Sequence, residues 1–559
     1  MQASTVGRFL HRYRGFPVWL RVALGLWTVP LALTAAPVEA AERIYLSFGA
    51  LEQSVAVESL ATYARTGVVP EDLKPYSRYL SPEQMAQMRQ ILQTRVDLGP
   101  VAVSQFLYSS QGELLLHRLG EVIQTESSQS GFLALRSALI LASQHHQGLT
   151  PLNTLRQFPL ETIRVDLKRS LLILSDLERS VNQTRSAISA IQEQAVQEAQ
   201  DAPATNFTNL PDLRLRGPHT WRERTLKLID PRRNRPVEAD IYLPQTANRT
   251  PLPTPPPLIV ISHGLGSNRK TFAYLAKQLA SYGFAVAVPE HPGSNTEQLE
   301  ALLTGRTSQV TEPGEFINRP LDVKFLLDEL ERLSHQDPRY RGWLNPRRVG
   351  VVGQSMGGYT ALALAGATMS LPQLTEDCAN TNRLNLSLLL QCRVLELTKT
   401  TPDLRDDRVK VVLSINSLGS SLLGENGYNQ LNVPVMLVAS GADTVTPALT
   451  EQIRPFTWLT TPHRYLLLLQ NGTHFSAIDV PSSDRVTVSL PPQMVGPNPA
   501  IAHRYLEAIT VAFFGTYLNN APQFSPYLSA AYARRISQPE LPLSLVRSLS
   551  MIKLATDQR

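Results

Sequence analysis

The stretch Val349–Gly366 passes from branched apolar residues through Gly353-Gln354-Ser355-Met356-Gly357 into small apolar ones. A serine between two glycines, where strand pattern gives way to helix pattern, fits the sharp turn that lifts a hydroxyl clear of a sheet. Glycines suit such a turn because the backbone there runs too close to its neighbours for a Cβ. Gly357, Ala361 and Ala365 continue at i+4 and give the next helix a small-residue face that can lie close to a sheet. A serine hydroxyl needs a base to take its proton and an acid to orient that base. Two later apolar runs end in such groups. Val435–Ala439 leads into Ser440-Gly441-Ala442-Asp443, and Tyr465–Leu469 leads, past Gln470, into Asn471-Gly472-Thr473-His474. Singly, Asp443 reads equally as a turn or capping aspartate and His474 as a loop histidine. Together, in this order and each at a strand end, Ser355, Asp443 and His474 read as a catalytic triad. Leu258–Ser262 supplies a fourth element, His263-Gly264-Leu265-Gly266, whose exposed backbone can join the N–H of Met356; Leu265 and Met356 are the expected oxyanion-hole donors. His263 reads as a brace between loops. The chemistry is acyl transfer to water, and it requires no metal and no organic cofactor.

The elements that must position these groups follow from the apolar periodicity. Short apolar runs at Leu258–Ser262, Ala285–Pro289, Val349–Val352, Val409–Ile415, Val435–Ala439 and Tyr465–Leu469 alternate with amphipathic segments such as Arg269–Ser281 and Arg319–Leu333. Runs buried on both faces and separated by crossover helices predict an α/β domain with a mostly parallel sheet. Ligands bind such sheets beyond the carboxyl ends of the strands, where the residues above lie. Ahead of them, "TWRERTLKLID" and "PVEADIYLP" predict a hairpin turning at Asp230–Arg235. Residues 41–165 predict a small all-helical domain: Ser81-Pro82-Glu83-Gln84 is a capping-box start, Ser130 opens a helix over Phe132–Gln147 that Gly148 stops, and Thr150-Pro151 starts another. The neighbouring His145 and His146 would point about 100° apart on a helix, which makes a solvent-facing pair rather than a metal site. Residues 166–205 read as a helical connector, 206–535 as the α/β domain and 536–559 as a C-terminal tail.

Charge and cysteines bound the partners and the compartment. The net charge of +6 falls to +3 once residues 1–40, with four arginines and one glutamate, are set aside, and no basic stripe with interleaved aromatics remains to bind nucleic acid. Those forty residues read as a secretory signal: arginines first, then the apolar run Val22–Ala36, then Val38-Glu39-Ala40 as a small-residue cleavage site. The alternative is a membrane anchor, for which the run is shorter than the roughly 20 residues a spanning helix needs. The mature chain is thus expected to be periplasmic or secreted, without a transmembrane segment. Cys378 and Cys392, the only cysteines, form no Cys-x-x-Cys motif and are expected to pair as a disulfide in an exported chain.

From about residue 206 to 520 the chain resembles the α/β-hydrolase superfamily. The segment "SHGLGSNRKTFAYLAKQLASYGFAVAVPEHPGSN" is similar to the platelet-activating-factor acetylhydrolase-related branch, where a Ser-His-Gly-Leu-Gly motif likewise precedes a strand ending in Glu-His, here Glu290-His291. In eukaryotic members of that branch the triad acid follows the preceding strand, where this chain has Asn416; Asp443 stands where most α/β hydrolases carry it. "GQSMGG", "GADTVTP" and "THFSAID" resemble bacterial cutinase and polyester-hydrolase enzymes. The resemblance implies the α/β-hydrolase fold and a serine esterase acting on lipid-like or other acyl esters. Its rivals are a polyester hydrolase and a non-catalytic envelope interaction protein on a hydrolase scaffold. The N-terminal segment resembles an uncharacterised domain found with such hydrolases in cyanobacterial-type proteins, which implies no function. Thr368–Asp407 is an insertion after the serine helix, with the apolar stretch Leu384–Leu390; it reads either as a lid over an acyl site or as a hairpin packed on the core.

Overall fold

The computed structural model describes residues 41–48, 51–78, 80–96, 98–379, 385–397, 403–479 and 495–549. The expected signal segment, Leu384 and the last ten residues of the expected tail lie outside the described residues.

In the N-terminal unit the capping box forms: Ser81 Oγ accepts from the Gln84 N–H at 3.2 Å, and Gln84 Oε1 accepts from the Ser81 N–H at 2.8 Å. Helix Pro82–Gln93 starts there and buries Met85 and Leu92; a cap of this kind is worth about 1 kcal/mol. Thr150 caps helix Pro151–Arg156 through its side chain alone, accepting from the Asn153 N–H. The unit is not wholly helical, however. Strands β1 (Arg43–Phe48), β2 (Leu51–Ala56), β3 (Ile123–Gln124) and β4 (Thr162–Asp166) form a sheet in the order β2-β1-β4-β3. The parallel pairing of Arg43 with Thr162 joins the two ends of the unit. Strands this short carry little periodicity of their own, and a partner at the far end of the unit leaves no local trace. Helix Phe132–Gln144 ends before His145 and His146, which lie in the turn closed by Gly148 rather than on the helix.

Helix Leu167–Asp201 follows β4 without a break, capped by Asp166. It does more than connect. Ala187 and Ile191 are buried in the core of the larger unit, and Gln192 Nε2 donates to Gln470 Oε1 at 2.7 Å.

That larger unit has the α/β-hydrolase fold. Its strands are β5 (Thr220–Asp230), β6 (Arg235–Gln245), β7 (Pro257–Ser262), β8 (Ala285–Pro289), β9 (Asn345–Gln354), β10 (Val409–Ile415), β11 (Val435–Ser440), β12 (Arg464–Leu469) and β13 (Leu543–Val546). They make a nine-stranded sheet ordered β13-β12-β11-β10-β9-β7-β8-β6-β5. All pairs from β8 to β12 are parallel, the hairpin β5–β6 joins antiparallel at one edge, and β13 does so at the other. β13 lies in the segment expected as a tail; four residues are too few to announce a strand, and its pairing of Leu543 with Leu469 supplies the order. Helices Glu315–Gln336 and Met356–Leu364 cover one face, and Ala273–Ser281 and Pro499–Tyr517 cover the other. Fully buried side chains such as Phe316, Phe513 and Phe514 anchor these layers, each worth about 1.5–3 kcal/mol of burial.

The chain moves from β7 outward to β8, then returns across β7 to β9, so the winding reverses beside β7. Such a reversal opens a crevice at the carboxyl ends of the strands. Ser262 and Gly353, the last paired residues of β7 and β9, lie directly opposite each other there. The insertion contributes helices Leu371–Ala379 and Leu386–Cys392, linked by the Cys378–Cys392 disulfide with Cα atoms 5.8 Å apart. The N-terminal unit rests on this side of the molecule: its helix Pro100–Leu107 packs on Thr296–Leu303, and its helix Ser110–Val122 on Leu386–Cys392.

Candidate functional site

Ser355 stands between β9 and the following helix with φ 56° and ψ −120°. A non-glycine residue there is strained by about 1–3 kcal/mol and persists only when its surroundings hold it. They do. The Ser355 N–H donates to the Ile415 carbonyl at the end of β10, at 2.9 Å. The flanking glycines are needed for contact: a methyl group on Gly353 would fall 1.9 Å from the Gly357 oxygen, and one on Gly357 would fall 2.1 Å from the Ser262 oxygen. Neither tolerates a side chain without moving backbone.

The structure brings Asp443 and His474 together. Asp443 uses its two oxygens for two tasks. Oδ1 accepts from the N–H groups of Val445 and Thr446 at 2.8 and 2.7 Å, fixing the turn after β11. Oδ2 accepts from His474 Nδ1 at 2.8 Å. The aspartate that fixes the turn and the carboxylate that holds the His474 ring are thus one residue. Thr446, which the sequence reading passed over, places its hydroxyl 2.8 Å from Asp443 Oδ2 and 3.1 Å from His474 Nδ1. A threonine three residues after an aspartate that follows a strand was the available signal.

With Nδ1 donating to Asp443, His474 Nε2 carries a lone pair. In this structure it accepts from Gln354 Nε2 at 3.3 Å, and the same amide lies 3.3 Å from the His474 carbonyl oxygen. Ser355 Oγ makes no hydrogen bond to His474 among the described residues. The serine is 6% exposed and the histidine 5%, so both are nearly buried. Serine–base contacts commonly tighten only when substrate is bound.

The loop after β7 packs against the serine turn. A methyl group on Gly264 would fall 2.2 Å from Gln354 Oε1 and 3.4 Å from Ser355 Cβ, so this backbone lies directly against the serine turn. Among the described residues, neither the Leu265 N–H nor the Met356 N–H donates to a protein acceptor. His263 is fully buried and braces, as expected: Nδ1 donates to the Gly264 oxygen at 2.8 Å, and Nε2 accepts from the His291 N–H at 3.1 Å. Burial, with the nearby Arg319 charge, holds its pKa well below the usual histidine range. Glu290 of the Glu-His pair also braces, accepting from the Arg269 N–H and from Asn295 Nδ2. Asn416 carries no charge and bonds Ser440 Oγ and the Thr473 oxygen. No group of three or more His, Cys, Asp or Glu among the described residues is placed to hold a metal.

Two family models match the chain. One, described as an alpha/beta hydrolase of unknown function, covers residues 40–166, which is the N-terminal unit. The other, platelet-activating factor acetylhydrolase, isoform II, covers residues 239–304, from β6 through the loops that follow β7 and β8. A platelet-activating factor acetylhydrolase of Cavia porcellus is 28% identical over 134 residues, which is 19% of this chain and 31% of that relative. The chain thus matches about a third of that relative's length, and these matches with the fold make it α/β-hydrolase-like.

Proposed function

We propose that this protein is a serine esterase that cleaves carboxylic esters through Ser355, His474 and Asp443. Ser355 Oγ bonds to the ester carbonyl carbon while its proton passes to His474 Nε2, and the carbonyl π pair moves onto oxygen. The Leu265 and Met356 N–H groups stabilise that oxyanion. The intermediate collapses, the carbon–alkoxy bond breaks, and the imidazolium gives its proton to the departing alkoxide. Water then attacks the acyl-serine by the same route, releasing the acid and restoring the serine. Asp443 keeps Nδ1 protonated and offsets the charge that His474 gains.

The observation that carries this reading is the 2.8 Å contact of His474 with Asp443, beside a serine held at positive φ. The acetylhydrolase matches support acyl-ester chemistry and suggest a small-molecule, lipid-like substrate. Leu388 and Leu389 of the insertion are 2% and 3% exposed on a helix that packs on Ser110–Val122 and Ser420–Asn429; the lid reading gives this apolar segment a further role beside the acyl chain. Export is part of the same reading: the disulfide suits an oxidising compartment.

Incubation with a fluorophosphonate, then hydrolysis of esters from acetate to long acyl chains, tests the reading. Wild type should label at Ser355 and turn over esters, and Ser355→Ala should do neither. Full ester turnover by pure Ser355→Ala would refute it.

A further inference from the structure

Arg319 is the largest fully buried side chain in the described fold, at 0% exposure on the inner face of helix Glu315–Gln336. Its guanidinium reaches two loops at once. Nη1 donates to the His263 oxygen at 2.6 Å and Nη2 to the Gly264 oxygen at 3.3 Å, both after β7. Nε donates to Ser294 Oγ at 2.8 Å, and Nη2 also reaches the Ser294 oxygen at 3.2 Å, both after β8. No neutral side chain offers such a fork of donors.

The Gly264 oxygen matters because of what shares its peptide. The bond from Gly264 to Leu265 is trans, so its C=O and N–H point in opposite directions. Drawing the oxygen toward the helix turns the Leu265 N–H away from the helix. The next peptide is held as well, since the Gly266 N–H donates to the Ser294 oxygen at 2.9 Å. Leu265 is therefore fixed on both sides by groups that Arg319 binds.

We propose that Arg319 is a positioning residue for the oxyanion hole, aiming the Leu265 N–H by gripping the His263 and Gly264 carbonyls; this rests on the esterase reading above. A hydrogen bond from a cation also polarises the peptide it grips and strengthens its N–H as a donor. Burial brings the guanidinium pKa down to about 10, while Glu315 and Asp322 help keep it charged.

The test uses the whole protein, p-nitrophenyl butyrate and butylboronic acid, whose serine adduct is tetrahedral and anionic. Arg319→Gln should lower kcat about 10- to 100-fold, less than the roughly 10²–10³ lost with an oxyanion donor itself. KM should stay within about two-fold, and boronate affinity should fall with kcat. Arg319→Lys should recover part of both, because one ammonium can serve only one loop. Folded variants that keep wild-type kcat and boronate affinity, or that lose only KM or thermal stability, would overturn the role. Should Arg319→Gln fail to fold, Ser294→Ala carries the test: it frees Nε, and a loss of a few-fold in kcat with KM unchanged is expected, whereas none overturns the proposal. Ser355→Ala separates the two readings. If it remains active, the esterase site itself is wrong; if it is inactive while Arg319 variants are unaffected, only Arg319 loses its role.

Discussion

Two aspartate–histidine pairs stand among the described residues, and only one lies beside a strained serine turn. Asp443 Oδ2 meets His474 Nδ1 at 2.8 Å. Asp322 Oδ2 meets His291 Nδ1 at 3.2 Å, and His291 Nε2 continues to Ser262 Oγ at 2.9 Å. By connectivity the second set is the more complete serine–histidine–aspartate chain. Yet Ser262, His291 and Asp322 are all at 0% exposure, and Ser262 sits in regular strand rather than at a strained turn. Asp322 is also claimed by Arg233 at 2.8 Å and Arg235 at 2.9 Å. Its carboxylate is already balanced, and burial with three neighbouring arginines holds His291 well below the usual histidine pKa. That set is a strut under the β7 and β8 loops. Connectivity alone does not make a site; a serine at a strained turn and an acid not already paired with arginines do.

The largest expected effect breaks this comparison at its stronger end. His474→Ala should lower kcat about 10⁴-fold or more with little change in stability, and Asp443→Asn should cost about 10⁴-fold by releasing the imidazole tautomer. Steady-state kinetics beside a urea melt separates activity from stability. The buried pair should behave in the opposite sense. Asp322→Asn leaves Arg233 and Arg235 short of a charge partner, and unpairing a buried ion typically costs about 3–5 kcal/mol. Urea unfolding should register that loss, while folded Asp322→Asn still labels with a fluorophosphonate. If Asp322→Asn abolished labelling in folded protein and left stability intact, the division between site and strut would collapse.

The same division explains what the sequence made legible. The serine turn, the Asp443 turn and the His474 loop follow apolar strands directly, and local groups shape them, as Val445 and Thr446 fix Asp443 and the flanking glycines admit the serine turn, even though Ile415 on β10 also holds that turn. Local order of that kind leaves motifs. The β7 loop shows its own motif too, but the side chain that grips its carbonyls comes from helix Glu315–Gln336, where Arg319 looks like an ordinary surface arginine in an amphipathic pattern. Gln354 was overlooked for a related reason: between Gly353 and Ser355 it reads as a spacer, and only the closure of β9 on the His474 loop brings its amide to the imidazole. The parallel strands were legible because both faces are buried. Strands β3, β4 and β13 were not, since pairing with distant partners orders them, and the local hairpin β1–β2 is too short to announce itself.

The smallest effect sharpens the comparison through pH. His263 donates from Nδ1 to the Gly264 oxygen and accepts at Nε2 from the His291 N–H. The neutral ring satisfies both bonds, whereas a proton on Nε2 would face another N–H. Its folded pKa lies well below 6.5 through burial and the Arg319 charge. The unfolded chain takes up a proton near pH 6.5 that the folded chain refuses, so the unfolded state binds more protons and stability falls as pH is lowered through that value. One such histidine accounts for up to about 1.4 kcal/mol between pH 7.5 and 5.5. His263→Gln keeps an amide able to donate to one partner and accept from the other, but it cannot titrate. Urea midpoints at the two pH values should therefore fall less in His263→Gln than in wild type, by up to about 1.4 kcal/mol once converted through the urea slope. Equal losses in both proteins would mean that His263 is not held neutral, and the strut would then tolerate charge where the geometry says it cannot.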